Sequence, residues 1–556
     1  MVAPVYRATS EIAQNIGVAA GAVSAISIIL FVCLNFAAHS AGFRASEEAI
    51  RQQVERLRTA ETTREETVEI AAIIAFYTER RFAPVWDTVD RWTNLLAAIE
   101  HVTTQGLKPE VYGHQRLSRH IDEGALADTD YRHKQSAHMD IVATRTLFRI
   151  LRDLHFGKVD RQAQEPNLVL EHTDDRGESL SLLPRAMQYS DLRKAVDMAV
   201  PDHALYKSLR KELLRYQSME ENWPQFPEGP YLKPGMTDNR LAALRKRLTA
   251  EGIRVAENVG LVDTYDTLLL GSVKLFQTRH GLDPDGIVGP KTRAALNIPL
   301  AMRIDQIRIN LERGRWLLQD VDRDLIAVNI AGYKLFLLED GNTVWKTNIV
   351  VGQPYRKTPV FKADLRYLVL NPTWTVPPTL LRVDKLPKIA KDVSYLVRHN
   401  MSVVDAQGTK IDSSTIDWAR ASNYFPYQLV QAPGPDNSLG QVKFIFPNHY
   451  SVYLHDTPNK ELFSRSARAF SSGCIRVEKP LELAARILAS QDWSLEKIEQ
   501  EIANGKTQTV MLDSPMSVLI MYWTVHPQED GSLHFFSDIY NRDQAILKEL
   551  DEISAF

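Results

Sequence analysis

The sequence predicts a multidomain α+β protein, and three observations carry that expectation. The chain has 556 residues, several times the length of an ordinary single domain. Apolar residues recur at helix spacing through its N-terminal half, and from Asp324 the period changes to two. One uncharged run, residues 16–34, is long enough to cross a bilayer as a helix.

That run defines the first segment, residues 1–44, expected to hold an N-terminal transmembrane helix at about 16–38. It exceeds the roughly 7–15 apolar residues of a cleavable signal core, which favours an uncleaved anchor over cleavage after Ser40. Residues 45–69 are rich in Glu and Arg and lack Gly and Pro, which reads as a charged helical stalk or a linker. Residues 70–231 form a helical scaffold: Ile70, Ile73, Ile74 and Tyr77 recur at helix spacing, as do Leu147, Ile150, Leu151 and Leu154. Pro84, Pro109, Pro184 and Pro201 mark the breaks.

A cluster of Pro and Gly from Pro224 to Gly235 is a boundary. Beyond it a compact unit, residues 235–298, combines helix-period Leu241, Leu244 and Leu248 with Phe276-Gln277, the turn Asp285-Gly286-Ile287-Val288-Gly289, and a helix holding Thr292, Ala295 and Leu296. This pattern resembles the three-helix peptidoglycan-binding domain. A further helix at 303–320 returns to the scaffold.

Residues 324–545 read as a β-rich unit. Strands are expected at 325–330, 334–338, 347–351, 367–370, 443–446, 452–455, 509–512 and 518–525, with a hairpin turn at Glu339-Asp340-Gly341-Asn342. Polar and helical character over 380–417 interrupts these strands, so an inserted capping lid is expected at about 380–430.

The chemistry-bearing residues lie late in this unit. Cys474, in Ser471-Ser472-Gly473-Cys474-Ile475-Arg476, is the one cysteine outside the N-terminal apolar run, and it follows His455 of Tyr453-Leu454-His455-Asp456-Thr457 by 19 residues. A thiol is a strong nucleophile only as thiolate, so it needs a base and backbone donors nearby. His455 supplies an imidazole on a strand, with Tyr453 on the same face. Asp456 points the other way, so a backbone carbonyl is the better candidate for orienting the imidazole. Arg476 suits a substrate carboxylate or a structural ion pair. Trp374 and Tyr453 are candidates for lining a groove.

The strand Val452 to Asp456 followed by Ser-x-Gly-Cys-Ile-Arg resembles the catalytic motif of L,D-transpeptidases with the YkuD-type fold. Asn371-Pro372-Thr373-Trp374 and Gln431-Ala432-Pro433-Gly434 are similar to the segments that bracket the capping insertion of the large, membrane-anchored Gram-negative members. The resemblance implies Cys474 as nucleophile, His455 as base, and the amides of Gly473 and Cys474 as oxyanion donors. Many members have histidine where this chain has Ser472, so no side-chain role is carried to that position. The implied reaction joins diaminopimelate to diaminopimelate (a 3→3 cross-link) through a thioester, releasing D-alanine, with no cofactor and no metal.

The expected partners are peptidoglycan stem peptides, the inner membrane and a periplasmic thiol reductant for the unpaired cysteine, with the catalytic unit in the periplasm. A net charge of −3 gives no reason to expect nucleic acid. An L,D-carboxypeptidase, a lipoprotein-attaching transpeptidase and a non-catalytic wall-binding protein remain open. Zinc amidase chemistry is disfavoured because His449 and His455 lack further ligands at metal-site spacing. Papain-like order is reversed here, since the histidine precedes the cysteine.

Overall fold

The computed structural model describes residues 44–59, 64–123, 129–168, 176–220, 223–255, 262–319, 321–421, 424–528 and 530–553. The chain divides into two compact units: residues 1–156, 174–200 and 551–556 in one, residues 157–173 and 201–550 in the other. No helix among the described residues is long and apolar enough to cross a membrane, which corrects the expected single-pass inner-membrane placement. The expected anchor at 16–34 itself lies outside the described residues.

The first unit is helical, built on Arg64–Glu79, Val89–His101, Thr129–Phe156, Arg176–Ala186 and Leu192–Ala199. Its polar key is Asp140, whose carboxylate accepts from the Tyr77 hydroxyl at 2.5 Å and from the amides of Val85 and Trp86 at 3.0 and 2.8 Å. One buried carboxylate thereby satisfies the backbone of the non-helical turn at Pro84, which would otherwise be buried unpaired. Of the stalk expected at 45–69, residues 45–58 are helical and bury Ile50 and Val54.

In the second unit, helices Arg240–Ala250, Thr267–Arg279 and Pro290–Leu296 enclose Leu241, Leu244, Leu248, Leu269, Val273 and Phe276. Gln277 explains the Phe-Gln and Asp-Gly-Ile-Val-Gly pattern. Its side-chain amide donates to Asp285 Oδ1 (2.8 Å), the Ile287 carbonyl (3.1 Å) and Thr292 Oγ1 (3.2 Å), and its Oε1 accepts from the Gly286 amide (2.8 Å). The pattern is therefore a staple that holds the turn against the helices. The long helix Leu300–Leu317 follows, with its buried Arg315 paired to Glu312 at 2.5 Å.

The β-rich unit contains β1 (Leu325–Asn329), β2 (Lys334–Glu339), β3 (Asn342–Gly352), β4 (Phe361–Leu370), β5 (Trp374–Thr375), β6 (Met401–Val404), β7 (Lys410–Ile411), β8 (Gln428–Gln431), β9 (Val442–Ile445), β10 (Leu454–His455), β11 (Ala469–Ser471), β12 (Ile475–Val477), β13 (Gln508–Met521), β14 (Val525–Pro527) and β15 (Leu533–Phe535). The main sheet runs β11-β3-β12-β10-β9-β4-β13-β1-β2, and β2 also pairs with β3. That second pairing closes eight strands into a ring, with β11 attached to β3 as a branch. The strand expected at 509–512 and most of the one expected at 518–525 are one element, β13, which ends at Met521 and whose pairing with β4 is irregular between Met511 and Met516. Asp513, Ser514 and Pro515 interrupt the alternation there, and proline sits where the ladder needs no donor.

Between β4 and β9 the chain leaves the ring to build a separate layer. A four-stranded sheet, β5-β8-β6-β7, and the short helix Leu386–Lys391 enclose Leu381, Leu386, Ile389, Met401, Trp418 and Leu429. The insertion thus starts before residue 380 and has a hydrophobic core of its own.

Candidate active site

The register of the ring places the functional side chains. In β10 and β12, which run parallel, Leu454 pairs with Ile475 and His455 with Arg476. Leu454 and Ile475 point into the core, both fully buried, so His455 and Arg476 share the opposite face. Cys474, two residues before Arg476, falls on that face and comes level with Tyr453, whose carbonyl accepts from the Ile475 amide at 3.1 Å. The sheet therefore brings together Cys474, His455, Tyr453 and Arg476.

The loop before Cys474 is held by hydroxyl groups. Ser471 Oγ accepts from the Gly473 amide at 3.1 Å and donates to the Cys474 carbonyl at 2.5 Å. Thr358, fully buried in the β3–β4 loop, donates to the Gly473 carbonyl at 2.8 Å and accepts from the Gly352 amide at 2.9 Å. Gly473 has φ +118°, a conformation that L side chains rarely adopt, while the space beside its Cα is open. Glycine is needed there for the backbone and not for room. The Gly473 amide is used inside the loop, whereas the Cys474 amide has no hydrogen-bond partner among the described residues.

His455 is 5% exposed, and its Nδ1 lies 2.5 Å from the Asp456 carbonyl. A carbonyl can only accept, so Nδ1 carries the proton and Nε2 is left as the basic nitrogen. The Asp456 carboxylate turns away, taking the amides of Gln441 and Thr457 and the ammonium of Lys460. Burial, then the positive charge of Arg476, push the imidazole down to about 3. Burial also raises the Cys474 thiol, against the lowering effects of Tyr453 and Arg476. At neutral pH the resting pair is consequently thiol and neutral imidazole. The thiol donates weakly to the Ser451 carbonyl, 3.7 Å away, and not to His455.

Trp374 is 7% exposed within the core of the inserted layer, and Lys385 Nζ lies 5.1 Å from its ring centre. It is not an open aromatic face; Tyr453 packs against the cluster to which it belongs. Ser472 is exposed, and its hydroxyl accepts from Arg356 Nη1 at 3.0 Å. The same nitrogen donates to Asp384 of the inserted layer at 2.8 Å, so one guanidinium ties the layer to the residue two before Cys474. Nothing in the sequence alone singles out Arg356, Thr358 or Lys443. Lys443 alternates with buried Val442 and Phe444, a signal that places it on a face without saying which residues share it.

A separate cavity of about 1560 Å³ is lined by Tyr231, Gln277, His280, Arg303 and Phe536 among others. It borders the three-helix unit, and neither Cys474 nor His455, Tyr453 or Arg476 lines it.

A ring of strands presenting a thiol and an imidazole on one face defines a cysteine-histidine domain whose neighbouring module is a three-helix bundle. Residues 323–508 match the family model described as the L,D-transpeptidase catalytic domain (YkuD), residues 71–213 a scaffold domain, and residues 237–296 a "Putative peptidoglycan binding domain". The chain carries an L,D-transpeptidase catalytic domain of the YkuD type, joined to scaffold and peptidoglycan-binding domains. A Haemophilus influenzae protein named "Putative L,D-transpeptidase" is 40% identical over 221 residues, which cover 40% of this chain and 45% of that relative. The match thus spans a little under half the relative's length. Two solved structures align at 15% and 12% identity, each with a TM-score of 0.18: an L,D-transpeptidase of Xylanimonas cellulosilytica, covering 53% of this chain and 99% of that one, and an Ldtfm-avibactam carbamoyl enzyme, covering 40% and 64%. Similarity at that score bears no weight on the site.

Proposed function

We propose that the protein is a peptidoglycan L,D-transpeptidase that forms 3→3 cross-links between stem peptides. The observation that supports this best is the loop from Ser471 to Cys474, which presents, on the same sheet face as His455, a half-buried thiol and an amide with no hydrogen-bond partner among the described residues. In this reading His455 Nε2 takes the thiol proton as Sγ attacks the carbonyl of the third stem residue. The C–S bond forms, the amide C–N bond breaks, and the proton passes from His455 to the departing D-alanine nitrogen. The side-chain amine of a second stem then attacks the thioester, loses its proton to His455 and restores the thiol. The Cys474 amide and the Tyr453 hydroxyl are the donors assigned to the oxyanion, with Gly473 shaping the loop.

No cofactor enters, because one amide is exchanged for another. The three-helix unit and its adjoining cavity supply the wall contact in this scheme. The test is mass analysis of muropeptides made by the full chain from purified stem tetrapeptides. Diaminopimelate-to-diaminopimelate dimers and D-alanine are expected. Tripeptide alone would establish an L,D-carboxypeptidase, and no product with intact wall binding would establish a non-catalytic binding protein.

A further inference from the structure

The row of side chains through the site extends one strand further than the cysteine-histidine pair. In the antiparallel pairing of β10 with β9, His455 stands opposite Lys443. Arg476, His455 and Lys443 are therefore consecutive across three strands, with a cation on either side of the imidazole at about one strand spacing, roughly 4.8 Å.

Neither cation has a carboxylate partner among the described residues. Lys443 is half-buried and makes no hydrogen bond or ion pair there; its ammonium lies 5.9 Å from the Tyr453 ring centre. Arg476 Nε is buried without a hydrogen bond, and Glu461 is the acidic group whose charge reaches its guanidinium. Three buried arginines of the chain sit against carboxylates, Arg247 with Glu251 at 2.8 Å, Arg313 with Asp543 at 2.7 Å and Arg315 with Glu312 at 2.5 Å, and buried Arg468 instead donates to the carbonyls of Ile349 and Tyr333 at 3.1 Å each. Removing a charge from water without a partner is costly, so two unpaired cations beside a reactive thiol point to an anion that arrives with the substrate.

We propose that Lys443 and Arg476 form a carboxylate subsite for the amino acid that leaves, with Lys443 the residue that makes the enzyme demand a free C-terminal acid. The inference rests on the transpeptidase reading above and says which part of the donor is read. The departing nitrogen must meet His455 Nε2 to be protonated. Its carboxylate carbon lies two bonds away, each about 1.5 Å, and so falls on the groups flanking the imidazole. A donor that continues past this residue would bring an uncharged peptide to two desolvated cations. The bound anion has a second effect: it offsets the positive charge that disfavours imidazolium, so His455 becomes a better base once the donor is seated.

The experiment compares two donors that differ only at the C-terminus, a stem tetrapeptide ending in D-alanine and its carboxamide. Thioester formation is followed by intact mass on the full chain, as wild type, Lys443→Met and Lys443→Arg. Binding is measured by calorimetry on Cys474→Ala with and without Lys443→Met. Wild type is expected to favour the acid at least tenfold, Lys443→Met to lose that preference through the acid alone, and Lys443→Arg to recover it. An acid-to-amide ratio unchanged in Lys443→Met overturns the subsite, as does equal binding of both donors by Cys474→Ala. If neither donor acylates wild type while Cys474→Ala still binds the acid in a Lys443-dependent way, the subsite stands and the transpeptidase reading falls.

Discussion

Thr358 donates its hydroxyl to the carbonyl of Gly473, 2.8 Å away and 115 residues later in the chain. The β3–β4 loop therefore fixes the peptide plane next to Cys474. Thr358→Val should leave the Gly473 carbonyl and the Gly352 amide without their buried partner, at a cost of about 1–3 kcal/mol. The rate of Cys474 acylation should fall by about 10–100-fold because the thiol is no longer held in line. Thr358→Ser should restore most of both, read as melting temperature and acylation rate.

Cys474→Ala is expected to fold as wild type, since the side chain is small and half-buried, and its hydrogen bond to the Ser451 carbonyl is long at 3.7 Å. It should give no covalent adduct with a carbapenem, whose strained carbonyl can stand in for the stem carbonyl, whereas wild type should gain one on the peptide holding Cys474. A wild-type chain that stays unmodified would count against the nucleophile.

Arg356 bridges Asp384 and Ser472 at the surface, where such a pair contributes about 0–1 kcal/mol. Arg356→Ala should therefore barely change the melting temperature. If the inserted layer keeps water from the thioester, the same variant should raise tripeptide relative to cross-linked dimer. Product ratios by mass decide it.

The buried imidazole of His455, pushed down to about 3, gives a stability profile of definite sign. Between its unfolded pKa of about 6.5 and that value, the unfolded chain binds a proton that the folded chain does not. Stability from this group is complete above about pH 6.5 and falls on acidification, by about 1.4 kcal/mol per pH unit at the steepest. His526, pushed down to about 4 by burial, adds in the same direction. Urea midpoints at pH 7 and pH 4.5 test this, and His455→Gln should flatten the difference. The raised thiol predicts an acylation rate that climbs with pH through the ordinary cysteine range.

Much of this arrangement is written locally. Helix spacing marks Leu241, Leu244 and Leu248, and alternation puts Tyr453 and His455 on one face, because each depends on a few neighbouring residues. Closure of the ring does not: it needs β3 to pair with both β2 and β12, and nothing in residues 342–352 names the second partner. The same holds for Lys443. Its place beside His455 comes from register, which the turn and core set jointly. Trp374, an aromatic near a strand end, packs into a separate core, the commoner place for such a residue. The merger of two expected strands into β13 follows from long pairing with β4 outweighing the Pro515 break.

The closed ring also sets an order of events during synthesis. β13 lies between β1, which it joins in parallel, and β4, which it joins antiparallel, yet it is contributed by residues 508–521. A nascent chain that has already exposed β1 through β12 holds two unsatisfied strand edges at once, templates for pairing with other chains. Release at any point before Gln508 would leave both edges open, so residues 508–521 decide whether the sheet closes on itself.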